Sequence, residues 1–195
     1  LGINYLSKKF ENIIILEDDC VPRKEFFLFI NRVKSSGYFK KNHNPICGYQ
    51  FPQLHSKENK LSTLILDYFI PWGWCVNAKL WSKYLTYSKK KSQKTNDNLI
   101  NKISKICLKK ENKSIWSKKF IEFNLIANKK IIFPNKSLIK NIGFDGSGIN
   151  SSITDKFNTV YSKFSTKNFN MNFKQNNKLQ KKQKKILFEI VKYFF

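Results

Sequence analysis

Residues 13–22 read Ile13-Ile14-Ile15-Leu16-Glu17-Asp18-Asp19-Cys20-Val21-Pro22. Four apolar residues, three of them β-branched, are too few for a helix and have the composition of a strand covered on both faces. The run stops on three consecutive carboxylates. Like charges this close repel unless a cation or water is shared among them, so the triplet asks for a hard divalent ion, Mn²⁺ or Mg²⁺. In open α/β sheets ligands bind at the carboxyl ends of strands, and an ion held there by one or two carboxylates keeps positions for diphosphate oxygens. The competing reading makes the triplet the N-terminal charge of the following helix, which stabilises a helix dipole by about 0.3–1 kcal/mol.

Working outward, Pro22 suits a first helical turn, and Phe26, Phe27, Ile30 and Val33 recur at helical spacing until Gly37, which predicts a helix over 22–36. Residues 46–51 and 64–70 read as strands, the second feeding the turn Pro71-Trp72-Gly73-Trp74, and 77–87 reads as a helix. The Lys/Asn/Ser-rich stretch 88–113 is expected to be a surface insertion with one helix. Residues 116–128 then read as a helix, 131–133 as a strand, and 143–148 as a Gly-bearing loop. Alternating strands and helices predict an α/β layered fold with a mixed sheet flanked by helices, ending near residue 150. The sequence shows no internal repeat, no G-x-G-x-x-G and no P-loop.

Segment 13–22, with Phe26, Phe27 and Phe29 after it, resembles the metal-binding region of nucleotide-sugar glycosyltransferases with the GT-A fold, a Rossmann-like architecture. The resemblance continues discontinuously over residues 2–148. Ile46-Cys47-Gly48-Tyr49, Pro71-Trp72-Gly73-Trp74-Cys75, Trp81, Trp116, Pro134 and Asn141-Ile142-Gly143-Phe144-Asp145-Gly146-Ser147-Gly148 follow in the order seen in bacterial sugar transferases. Those are distantly similar to the N-acetylglucosaminyltransferase that initiates complex N-glycans.

The resemblance implies transfer of a sugar from a nucleoside diphosphate donor to a hydroxyl on a glycan or lipid-linked acceptor, in cell-surface glycan synthesis. It makes Asp19 the metal ligand, with Asp18 beside it, and has Glu17 and Asp18 orient ribose or metal-bound water. It sets Trp72, Gly73 and Trp74 near the donor sugar and acceptor, whereas the residues alone read equally as aromatic core around a tight turn. The acidic pair of the pattern falls on Ser117 and Lys118, neither of which serves as a base at neutral pH. The general base therefore passes to Asp145, with Glu122 second, although Asp145 reads equally as a turn residue capping its own backbone. Asn150 stands where relatives often carry His. The family places its base- and ribose-binding units before the metal motif, and only 16 residues precede Glu17, so the chain reads as the C-terminal portion of such a domain. The alternatives are a non-catalytic remnant of the fold that binds glycan or membrane and, more weakly, a basic nucleic-acid-binding module.

Composition bears on that last alternative. The formal charge is +24, from 37 Lys+Arg against 13 Asp+Glu, yet only Arg23 and Arg32 are Arg. Arg supplies most bidentate base and phosphate recognition, so the lysines read as a drifted surface without specific nucleic-acid binding. The 18 Phe, 8 Tyr and 4 Trp exclude wholesale disorder. No apolar run approaches the ~20 residues needed to span a bilayer. Cys20, Cys47, Cys75 and Cys107 have no zinc spacing and read as four reduced, half-buried thiols in a cytoplasmic protein.

Residues 151–195 carry 10 Lys and 2 acids and read as a basic tail ending in an amphipathic helix, where Ile186, Leu187, Ile190, Val191 and Phe194 share a face. That face predicts either docking on the chain's own domain or peripheral contact with the anionic inner face of a membrane.

Overall fold

The computed structural model describes residues 2–58, 60–89, 101, 116–146, 154–159, 165–173 and 175–193. The elements are α1 (Gly2–Leu6), β1 (Asn12–Ile15), β2 (Cys20–Pro22), α2 (Lys24–Ser35), α3 (Gly37–Asn42), β3 (Ile46–Cys47), β4 (Lys60–Leu66), β5 (Trp74–Asn77), α4 (Ala78–Ser88), α5 (Trp116–Ile126), β6 (Ile131–Pro134), β7 (Ile139–Asn141), β8 (Ser165–Asn170) and α6 (Asn177–Tyr193). The chain is thus a mixed α/β protein. The predicted insertion helix, Cys107 and the loop beyond Gly146 lie outside the described residues.

Six strands form one sheet in the order β1-β5-β3-β6-β4-β8, and β2 and β7 form a separate two-stranded ribbon. The β3–β6 and β4–β8 pairs are parallel and the others antiparallel. Phe26, Phe29, Ile30 and Val33 give α2 one apolar face at helical spacing, and all four are buried. Asn77 ends β5 and caps α4, its side chain accepting from the Lys79 N–H at 2.9 Å. Phe120 and Phe123 of α5 close over Trp81 and Tyr84 of α4.

Several predicted boundaries are corrected. Pro22 does not open a helix; it ends β2, opposite Ile139 of β7, and α2 starts at Lys24. A Pro at the end of a short ribbon strand forgoes no sheet hydrogen bond, so both uses were open to it. The strand predicted over 46–51 stops at Cys47, although the Gly48 N–H still donates to the carbonyl of its register partner Gly73 at 2.7 Å; the Gly48 carbonyl accepts from the Leu138 N–H at 2.9 Å. The strand predicted over 64–70 begins earlier, at Lys60, and ends at Leu66. Beyond it, the Cys47 thiol donates to the Ile70 carbonyl and Asp67 pairs with Lys130 at 2.8 Å. β1 is a sheet edge rather than a strand covered on both faces, with Ile13 buried and Ile14 38% exposed.

The described residues after 150 pack on this same core instead of trailing from it as a tail. Phe169 meets Phe29 edge-on and Phe173 stacks on Tyr38 with centroids 4.5 Å apart. In α6, Ile186 and Leu187 are buried, and the buried Gln183 side chain donates to the Tyr68 carbonyl at 3.0 Å and accepts from its N–H at 3.3 Å. No helix among the described residues is long and apolar enough to cross a membrane.

Candidate metal centre

The acidic triplet lies where β1 leaves the sheet. Its backbone turns at once, the Cys20 N–H donating to the Glu17 carbonyl at 3.0 Å, and the chain enters β2. Because β2 lies between Asp19 and the start of α2, the triplet is not the helix's N-terminal charge. The acid in the first turn of α2 is Glu25, paired with Arg23 at 3.3 Å.

Glu17, Asp19 and Cys20 each present a ligand atom, and those atoms lie within 4.8 Å of one another. Asp18, expected beside Asp19, is exposed and lies outside this set. Burial, then the neighbouring charges of Asp19 and Asp18, push the Glu17 carboxyl up to about 7. The Cys20 thiol is driven well above its ordinary range by burial and the Asp19 carboxylate, and its Sγ lies 3.5 Å from Asp19 Oδ1. Cysteine spacing alone gives Cys20 no role at this site. The adjacency of Cys20 to Asp19 was the available signal.

The β2–β7 ribbon brings the downstream Gly-rich loop to the triplet. Cys20 pairs with Asn141, and the Ile142 N–H donates to the Asp19 carbonyl at 2.8 Å. A Cβ on Gly143 would lie 2.5 Å from Asp19 Oδ2, so glycine is what lets this loop close against the carboxylate. Asp145 sits exposed two residues further on, on the same loop.

The Trp72-Gly73-Trp74 turn sends its two rings to different places. Gly73 has φ +67°, and a Cβ there would lie 2.6 Å from the Ile139 side chain and 3.3 Å from Leu16. Backbone conformation and packing therefore require this glycine, and no ligand need be invoked for it. Trp72 is half-buried and meets Tyr49 and Phe144 edge-on at 4.7 and 5.2 Å, which links it to the loop that closes on Asp19. Trp74 is 0% exposed, stacked on Trp116 and packed on Phe69 and Phe120. Its expected place near a substrate is corrected: a ring enclosed on these sides is core.

Glu122 is likewise fully buried, within α5, and is ion-paired with Lys119 at 3.3 Å. A carboxylate in that position has no solvent-side approach for an acceptor hydroxyl, which removes it as the second general base. The residues brought together are thus Glu17, Asp19 and Cys20, with Gly143, Asp145 and Trp72 on the segments around them. Comparison with protein-family models and with curated proteins finds no match to this chain.

Proposed function

We propose that this protein transfers a sugar from a nucleoside diphosphate donor to a hydroxyl acceptor, with a divalent cation held by Glu17 and Asp19. The observation that carries the reading is the clustering of Glu17, Asp19 and Cys20 within 4.8 Å at the end of β1, with the Gly143 loop closed against Asp19. The donor set fits such an ion: two carboxylates supply hard oxygen ligands, and Glu17, raised first by burial and then by the charges of Asp19 and Asp18, is a carboxyl whose ionised form a cation favours. Carboxylate oxygens suit Mn²⁺ and Mg²⁺ alike. When bound, the ion supplies electrostatic stabilisation of the departing diphosphate.

The chain's own residues have separate roles in this reading. Glu17 and Asp19 would hold the cation, which would neutralise charge on the donor diphosphate. Trp72, half-buried among Tyr49, Phe51, Phe144 and Phe157, is the aromatic side chain assigned to the sugar in this reading. Asp145, exposed on the Gly143–Gly146 loop, accepts the proton of the acceptor hydroxyl as the new bond forms.

Isothermal titration of UDP and GDP into the 195-residue chain, with and without Mn²⁺, tests the reading. Binding that requires Mn²⁺ and disappears in Asp19→Ala is the expected result. If neither nucleotide binds the wild-type chain at any Mn²⁺ concentration, the donor site is not there, and the non-catalytic alternative replaces this one.

A further inference from the structure

We propose that the solvent face of α6 docks this protein onto an anionic lipid surface through lysines alone, without inserting apolar residues. The helix starts after Asn176, whose side chain accepts from the Leu179 N–H at 3.0 Å. Over residues 183–187 its inner face is committed to the domain: Gln183 is bound to the Tyr68 backbone, and Ile186 and Leu187 are buried. The apolar surface that an inserting helix would give to a bilayer is, over these positions, already used.

The opposite face carries Lys178, Lys181 and Lys185, all exposed and spaced i, i+3 and i+7, so they form one stripe about 10 Å long. Lys182 lies beside the stripe and donates to the Gln53 carbonyl. None of the three stripe lysines is in an ion pair among the described residues. The first turn of α6 contains no acid. Glu189, on the same side, is paired with Lys156 at 2.7 Å and so leaves the stripe unneutralised.

Such a stripe works against its own helix. Like charges one turn apart repel, and cations near an N-terminus oppose the helix dipole. A polyanion relieves both. A lipid surface matches better than nucleic acid, because the stripe has neither the Arg forks that read bases and phosphates nor aromatic rings for stacking. Lysine acts as a point charge on a headgroup layer, where attraction adds residue by residue with no demand on geometry. With the inner face docked, adsorption is electrostatic and salt-labile.

The test is flotation of the full chain with vesicles of phosphatidylcholine containing phosphatidylserine, and with phosphatidylcholine alone. The stripe variant Lys178→Gln/Lys181→Gln/Lys185→Gln is compared with a control of equal charge loss, Lys8→Gln/Lys24→Gln/Lys41→Gln. Far-UV circular dichroism checks that both stay folded. We expect the wild type to float only with the anionic vesicles, to be released by about 0.5 M salt, and to lose partitioning on the order of a hundredfold in the stripe variant. The control, whose lysines lie outside α6, should change less than about threefold, because the attraction falls off within a Debye length of the surface. Equal losses in the two variants would show binding by overall charge and overturn the assignment to α6. Salt-resistant binding would instead mean insertion. Tighter binding of a duplex oligonucleotide, lost in the stripe variant, would make the face one for nucleic acid.

Discussion

Glu17 binds its last proton up to about pH 7 in the folded chain, through burial and the charges of Asp19 and Asp18, against 4.5 for an unperturbed carboxyl. Between those values the folded state holds more proton than the unfolded one. Stability therefore falls as pH rises from 4.5 to about 7 and levels off above. The measurement is urea unfolding of wild type and Glu17→Gln at pH 5 and pH 8. The variant should gain on the wild type at the higher pH, and added Mn²⁺ should raise the wild-type midpoint more there, since cation and proton compete for the same oxygens. An identical difference between the two proteins at both pH values would show that Glu17 titrates normally. The triplet was legible because an apolar run ends abruptly on charge. Trp74 was misread because Trp-Gly-Trp is symmetric as letters, while a residue at φ +67° between the rings sends only Trp72 to the site's side.

At the scale of elements, β1 reads differently in sequence and in space. Four consecutive apolar residues predict burial on both faces, but β1 is a sheet edge and only one of its faces is covered. The antiparallel ladder bonds the Glu11 carbonyl to the Ala78 N–H, so alternate residues point their backbone groups away from β5, and Asn12 and Ile14 are among these. Ile13→Ala should cost about 2–5 kcal/mol, as for other buried aliphatic truncations. Ile14→Lys should stay within about 0.5 kcal/mol and improve solubility, because an edge lysine blocks strand pairing. Equal losses in urea unfolding would mean that the outer face of β1 is covered. Local pattern found β1, α2, α4, α5 and β6 because each carries its own apolar period. It missed β2 and β8, since neither Cys20-Val21-Pro22 nor Ser165-Thr166-Lys167-Asn168-Phe169-Asn170 has such a period. Both are strands only because distant partners, β7 and β4, offer them an edge.

Across the whole molecule, the contacts of residues 154–193 decide whether the Lys-rich end is part of the cooperative unit. The Tyr49 hydroxyl donates to the Phe157 carbonyl at 2.7 Å, and the Thr63 hydroxyl to the Asn172 carbonyl at 2.9 Å. Gln183 acts on the Tyr68 backbone as a further strand would, satisfying its N–H and its carbonyl with one amide. Composition concealed this, because Lys and Asn describe what α6 shows to solvent, whereas a single buried glutamine describes what it grips. Gln183→Ala leaves those two backbone groups without their amide partner and should cost about 1–3 kcal/mol. Unfolding is best followed by two probes, tryptophan fluorescence and far-UV circular dichroism, because all four tryptophans, Trp72, Trp74, Trp81 and Trp116, lie far from α6 in sequence. If α6 and the sheet unfold together, both transitions move to lower urea by the same amount in the variant. If the fluorescence transition stays in place while helical signal is lost early, α6 is an independently fraying tail. The inner face would then be free to enter a bilayer, and docking by lysines alone would give way to insertion.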